Sequence, residues 1–336
     1  MSETPLTHRL KTSAWRIAGA PATLLAAMPV DVFAHTRERP TPETLWSSWN
    51  LDPLIAIGLL LGTWLYLRGV AALWRSAGTG SIVQRWQVWA FAGGFGSLLV
   101  ALVSPLDALG AALFSAHMVQ HVILFLLAPM LFAAARPETA MAWAIPVPYR
   151  KAVLSGIHRQ PVVRGVRSLL SNPVAIWMLF TGILWIWHVP ALYDAALRSD
   201  LVHQVEHLSF LLAAFLFWSW LLRSSAGRSS RGGLAVLFVF TSVIQSGLLG
   251  AILTFAGTTL YEGHLPYTEA WSLTGIEDQQ LAGLIMWIPM GLWFTATIVF
   301  VFVAWLRDAD RSVRRWESQD DREPSTAGEP ATIHGR

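Results

Sequence analysis

The sequence contains no cysteine among its 336 residues. The lack of thiols excludes disulfide scaffolds, iron–sulfur clusters and thiolate-based zinc or copper sites. Any metal that this chain binds must therefore be held by imidazole, thioether, carboxylate or backbone groups. Charged residues are also scarce: they form 13% of the chain, whereas hydrophobic residues form 54%. Because an average soluble domain is about one quarter charged, this balance argues against a single water-soluble globule.

Long apolar runs are abundant instead. Seven of them are long enough to cross a hydrocarbon core of about 30 Å, which takes roughly 20 helical residues. Helices are expected because an open sheet would leave backbone groups unpaired in lipid. The sequence therefore predicts an all-α integral membrane protein with a seven-transmembrane helix bundle over residues 54–306. The predicted spans are 54–74, 86–104, 112–135, 173–190, 203–222, 233–256 and 280–306.

The amino-terminal residues have the features of a signal peptide. Basic residues precede a short apolar run, and Val32 and Ala34 occupy the −3 and −1 positions of a signal-peptidase site. We therefore predict a signal peptide at 1–34, followed by an extracytoplasmic segment at 35–53. Cleavage there would leave His35 at the new amino terminus, where its amine and ring together are an auxiliary metal chelator.

The basic residues predict how the bundle is oriented. The loops that follow spans one, three and five carry arginine or lysine, as does the segment after span seven, whereas the opposite loops carry Arg198 alone. Because basic loops stay in the cytoplasm, the amino terminus is expected outside and the carboxyl terminus inside. The segment 307–336, rich in Asp, Glu, Ser and Pro, is predicted to be a disordered cytoplasmic tail. Topology accounts for the net charge of +3 without a nucleic-acid partner.

Two histidine pairs have the spacing of metal ligands on a helix. His117 and His121 stand in HMVQH, and His203 and His207 stand in HQVEH. Residues four apart lie on one helix face, where two imidazoles can bind one ion. His188, in WIWHVP, is a fifth candidate at the same predicted outer side. Since ionisable groups in a membrane are costly and usually functional, we predict an extracytoplasmic metal site; its ligands suit copper or zinc.

Other side chains near these pairs are auxiliary candidates. The thioethers of Met118 and Met286 suit Cu(I), although methionine is more often a core residue. The carboxylate of Glu206 can orient imidazoles as a hydrogen-bond acceptor. Asp107 and Asp278 can do the same, or can cap helices.

Several blocks resemble those of a known family. They are WNLDPLIAIGLLLGTWLYLRG, SPLDALGAALFSAHMVQHVILFLLAPMLFAAARP, WIWHVPALYDAALRSDLVHQVEHLSFLLAAFLFW and IEDQQLAGLIMWIP. Together they resemble the CtaG family of cytochrome c oxidase assembly factors, the multi-spanning type found in Bacillus, from about Trp46 to Arg307. The resemblance implies a non-enzymatic protein of the bacterial inner membrane that helps to supply copper to haem-copper oxidase. It also implies that the five candidate histidines lie in the family's His-bearing blocks.

On this interpretation the outer imidazoles receive copper from an extracytoplasmic donor and pass it to an oxidase subunit. Two alternatives remain open. HQVEH also fits the H-x-x-E-H string of zinc hydrolases, with Glu206 as the general base. A haem-b cytochrome is the other, although residues four apart on a helix are separated by only about 6 Å of rise, too little for two haems at different depths.

Overall fold

The structure, a computed structural model, describes residues 39–225 and 232–320. These residues form helices joined by connections of different lengths, and no strand occurs among them. The predicted signal peptide with His35 and the last part of the predicted tail, 321–336, lie outside the described residues. The helices of eight or more residues are α1 (Pro53–Ala77), α2 (Arg85–Leu102), α3 (Pro105–Ala112), α4 (Phe114–Ala135), α5 (Pro137–Ala144), α6 (Val147–Arg159), α7 (Pro161–Ser171), α8 (Pro173–Trp187), α9 (Pro190–Arg198), α10 (Asp200–Ser225), α11 (Gly232–Phe255) and α12 (Gly275–Asp320).

Each predicted span overlaps at least one of these helices. Five of them, α1, α4, α10, α11 and α12, are each long and apolar enough to cross a membrane. Two bent pairs, α2 with α3 and α8 with α9, raise the number to as many as seven if each pair counts as one span. The all-α membrane class is therefore confirmed with five to seven spans. The predicted orientation of the two termini stays a prediction.

Prolines cause the bends. Pro105 begins α3 and Pro190 begins α9, and the residue before each, Ser104 or Val189, has an extended ψ of 170° or 122°. This follows from the clash between a proline ring and a helical preceding residue. The pairs bend by 44° and 74°. The second bend leaves His188 in the turn that joins α8 to α9.

A third proline shapes α4 without ending it. Pro129 has no N–H to donate to the carbonyl of Phe125, four residues earlier. The indole Nε1 of Trp218, on α10, donates to that carbonyl at 3.2 Å instead. The helix widens into a π-helical turn over Ile123–Leu127 at this point. The freed carbonyl thus becomes a link between α4 and α10, directly beyond the histidine pair of α4.

Close helix contact at small residues holds the last two long helices together. A Cβ on Gly283 of α12 would lie 2.7 Å from the carbonyl oxygen of Gly250 on α11. A membrane gives no hydrophobic driving force between helices, so close packing through such positions is a main source of their association. A stack of Phe125, Phe180 and Phe217, with ring centroids 4.0 and 4.1 Å apart, fills the core between α4, α8 and α10.

Helix α12 continues past the predicted end of the membrane domain. It is helical to Asp320, so residues 307–320 of the predicted disordered tail form a helix in the structure. An ion pair four residues apart, between Arg314 and Asp310 at 2.9 Å, lies on this extension. Such pairs stabilise a helix by only a few tenths of a kcal/mol, so the continuity with a long apolar helix is the stronger cause.

Candidate metal centre

The two histidine pairs converge, because α4 and α10 pack side by side in the bundle. One ring nitrogen from each of His117, His203 and His207 and one carboxylate oxygen of Glu206 all lie within 4.8 Å of one another. All four side chains are buried. Imidazole nitrogens and carboxylate oxygens bind zinc-sized ions at about 2.0–2.2 Å, so four such atoms need only a small inward shift to share one ion.

Glu206 lies at the middle of this cluster. Its side chain is 0% exposed, and its two oxygens lie 3.7 Å from His117 Nε2 and 3.4 Å from His121 Nε2. Neither contact has hydrogen-bond geometry. Within the described residues, Glu206 has no ion pair with lysine or arginine. A buried carboxylate needs a compensating positive charge. The cluster therefore has the donor atoms and the negative charge that a candidate cation site requires.

His188 lies beside His121, at the edge of the same cluster. Its Nδ1 is 2.6 Å from the carbonyl oxygen of Leu184. A carbonyl only accepts hydrogen bonds, so Nδ1 carries the proton and Nε2 keeps its lone pair. The ring centroids of His188 and His121 are 5.8 Å apart. The structure thus brings all five predicted histidines into one buried group.

The other auxiliary candidates have other surroundings or lie outside the described residues. Met118 and Met286 are fully buried and belong to the apolar core of the bundle. Asp107 accepts hydrogen bonds from Asn50 and Gln120, and so fixes the start of α3 against α4. His35 lies in the part of the chain that the structure does not describe.

Asp278 caps a helix, but not its own. Its carboxylate accepts the backbone N–H groups of Phe114 at 2.7 Å and Ser115 at 3.0 Å, the first residues of α4. A carboxylate at this position satisfies two free donors and complements the positive end of the helix dipole. Asp278 thereby positions the helix that carries His117 and His121.

A capping segment, residues 256–274 between α11 and α12, covers the cluster. Tyr261 donates to the carbonyl of His188 at 2.7 Å, and His264 Nε2 lies 2.6 Å from the hydroxyl of Tyr193. Tyr193 in turn packs against His117, with ring centroids 5.1 Å apart. Burial raises the pKa of Tyr261 and lowers the pKa of His264 to about 3. Both groups are therefore neutral at physiological pH.

Sequence reasoning missed Tyr193 and did not select His264. These two residues are 71 positions apart, and neither belongs to a spaced pair. The one signal available was the length of the outer segment that follows span six.

These features define a multi-spanning helical membrane protein with a buried histidine–carboxylate cluster at one end of its bundle. The chain belongs to the family described as cytochrome c oxidase caa3 assembly factor, Caa3_CtaG, which it matches over residues 64–308. The resemblance found in the sequence is thus confirmed, and all members of the cluster lie in the matched region.

Among curated proteins, the chain is similar to an uncharacterised protein of Mycobacterium bovis, with 28% identity over 304 residues. An uncharacterised protein of Mycobacterium leprae is 26% identical over 299 residues. The matches cover 85% and 84% of this chain but only 43% and 44% of those relatives. The chain therefore spans less than half the length of the curated relatives it matches. No solved structure matches it.

Proposed function

We propose that the protein is a non-catalytic assembly factor for a haem-copper oxidase, and that copper is its cargo. Membership of the assembly-factor family supports the client. The buried carboxylate of Glu206 supports the cargo, because within the described residues it faces His117 and His121 and no lysine or arginine. A metal cation compensates that charge and satisfies the facing imidazole nitrogens at the same time.

The donor set alone suits both copper and zinc. We propose copper rather than zinc because the client, a haem-copper oxidase, contains copper. A copper-delivery protein must also release its ion, and a cluster covered by loop residues rather than enclosed by helices on every side has a part that can move. The chain's own residues bind the ion, exclude water and hold it for transfer.

The cluster lies at the end of the bundle whose loops are poor in basic residues. The other end carries Arg68, Arg75 and Arg85 and the basic stretch 136–172. By the tendency of basic loops to stay in the cytoplasm, the cluster faces the extracytoplasmic side of the bacterial inner membrane. An extracytoplasmic donor then supplies copper, and a subunit of the oxidase receives it there.

The hydrolase alternative is less well supported. A general base must reach a water molecule in a substrate-accessible site. Glu206, however, is fully buried, with its two oxygens next to His117 and His121. Glu206 is better placed to compensate a bound ion than to activate a water.

The test is the metal content of the purified protein after growth with copper. Replacing His117, His121, His203 and His207 together with Ala is expected to abolish copper binding, while His158→Ala, in α6, keeps it. Equal copper in the wild type and the quadruple variant would overturn the assignment of the site. A Soret band in the purified wild type would favour the haem-b alternative instead.

A second measurement tests the role. Oxidase activity in a deletion strain is expected to be restored by the wild-type chain, and in part by added copper, but not by the quadruple variant. A persistent loss of activity with normal copper content in the oxidase would argue for another assembly step.

A further inference from the structure

The cluster holds more donors than one ion can use. A single copper or zinc ion in a protein takes about four ligands. His117, His203, His207 and Glu206 already supply four atoms within 4.8 Å of one another. His121 and His188 are then left over, although both are buried.

These two histidines have free nitrogen atoms. Both ring nitrogens of His121 and Nε2 of His188 are buried without a hydrogen-bond partner in the described part of the chain. Buried polar atoms are almost always satisfied, so such a concentration of exceptions at one place calls for a ligand. Nitrogens on opposite sides of one ion are about 4 Å apart. The ring centroids of His121 and His188 are 5.8 Å apart, which leaves room for one ion between a nitrogen of each ring.

Glu206 connects the two groups of histidines. One oxygen faces His117 and the other faces His121, at 3.7 and 3.4 Å from their Nε2 atoms. A carboxylate with one oxygen directed to each group has the arrangement of a bridge between two ions.

Resting on the copper-binding function proposed above, we propose that the cluster is a binuclear site. His117, His203 and His207 hold one ion, His121 and His188 hold the second, and the two oxygens of Glu206 bridge them.

The charge of the cluster limits which ions can form the pair. Glu206 is the carboxylate in contact with the histidines of the cluster, whereas Asp278 bonds to the backbone of α4 and Asp107 to Asn50 and Gln120. Against the single charge of Glu206, two monovalent ions leave an excess of one positive charge, whereas two divalent ions leave an excess of three. Because like charges repel strongly in a buried environment, the pair is Cu(I) and Cu(I), and a divalent ion such as Zn²⁺ binds singly.

The experiment is an anaerobic titration of the full chain, in detergent, with Cu(I) against a competing chelator, and separately with Zn²⁺. The wild type is expected to bind two Cu(I) but one Zn²⁺ per chain. X-ray absorption of the two-copper form is expected to show copper–copper scattering, which is lost in the one-copper variants.

Two variants locate the second ion. His188→Asn keeps a side-chain N–H for the carbonyl of Leu184 but removes the ligand nitrogen, and is expected to bind one Cu(I). His121→Ala is expected to do the same, whereas His158→Ala keeps two. Melting curves of the metal-free variants show whether each is folded.

The outcomes separate this inference from the proposed function. One Cu(I) in the wild type, unchanged in His188→Asn, overturns the binuclear site and leaves the copper cargo intact. No copper in the folded wild type overturns the proposed function itself. Two Zn²⁺ ions per chain would overturn the argument from charge.

Discussion

The two ends of the bundle are built from the same three long helices, α4, α10 and α12, but one end buries polar groups and the other is apolar. Where α4, α10 and the start of α12 meet, buried polar groups are packed together under a covering segment. Further along the same helices, an open apolar groove of about 320 Å³ is lined by residues that include Trp218, Leu221, Trp293 and Phe300. An apolar void costs little in lipid, whereas a buried, incompletely paired carboxylate costs several kcal/mol. The polar end carries the larger free-energy cost, and a costly buried group of this kind usually marks a functional site.

Helix α10 shows the contrast within a single element. Its first two turns carry His203, Glu206 and His207, and its later turns carry Trp218 and Leu221. All five side chains are buried. Burial alone therefore does not distinguish the two ends; the chemistry of what is buried does.

The largest effect is expected from Glu206→Gln at the polar end. Removing one partner of a buried charge pair costs about 2–5 kcal/mol, so copper affinity should fall roughly 30-fold or more. The metal-free variant should melt at a higher temperature than the metal-free wild type, because a neutral amide is less costly to bury. Chelator competition and melting curves measure both, and Glu277→Gln, an exposed acid, is the control. Unchanged affinity would mean that Glu206 does not compensate the ion.

A smaller effect is expected from Asp278→Ala. It leaves two backbone N–H groups of α4 without their acceptor, which should lower the free energy of unfolding by about 1–3 kcal/mol. Asp278→Asn should restore only part of it, since its one amide oxygen can replace only one of the two carboxylate oxygens that accept from Phe114 and Ser115. Thermal denaturation in detergent measures the loss, with Asp310→Ala as the exposed control. If the Ala variant is as stable as the wild type, Asp278 does not hold α4 in place.

Tyr193→Phe tests whether the capping segment, residues 256–274, controls access to the cluster. It removes the hydrogen bond to His264 and should destabilise the chain by about 1 kcal/mol. The number of bound copper ions should stay the same, while transfer to an external chelator becomes faster. Tyr267→Phe is the matched control, because it removes a hydrogen bond from Arg39 at the half-buried side of the capping segment. Equal transfer rates in the two variants would contradict a covering role for Tyr193.

The smallest effect is expected from Ala296→Leu in the apolar groove. The added methylene groups gain at most about 0.8 kcal/mol each if they are buried. Copper affinity should not change, because no donor of the cluster lines the groove. A clear change in affinity, measured by the same competition assay, would show that the two ends are coupled and would remove the contrast between them.

Local sequence patterns predict much of this molecule. The apolar runs locate the helices, because a span of lipid requires about 20 helical residues of suitable composition. The two H-x-x-x-H pairs predict one ligand face on each of α4 and α10, and the structure brings those faces together. Each pair can be recognised from the sequence because both of its histidines lie on the same helix, one turn apart.

Contacts between distant segments could not be predicted in this way. The sequence suggests that Asp278 caps its own helix, but in the structure it caps α4. Tyr193 forms a hydrogen bond with His264, which is 71 positions away. The central position of Glu206 within the cluster could not be predicted either. HQVEH shows its spacing to His203 and His207 but not its distance to His117 and His121 on another helix. Such placements depend on how helices pack, which one sequence does not show.

The cap on α4 also bears on the order of biogenesis. Asp278 follows Phe114 by 164 positions and lies at the start of the last span. During synthesis, α4 reaches the membrane long before that carboxylate exists, and its first turn has two unsatisfied donors in the meantime. We therefore expect the histidines of α4 to acquire their final placement only when the last span inserts. On this expectation the cluster is completed late in folding, and a truncated or half-inserted chain lacks the finished arrangement of its donors.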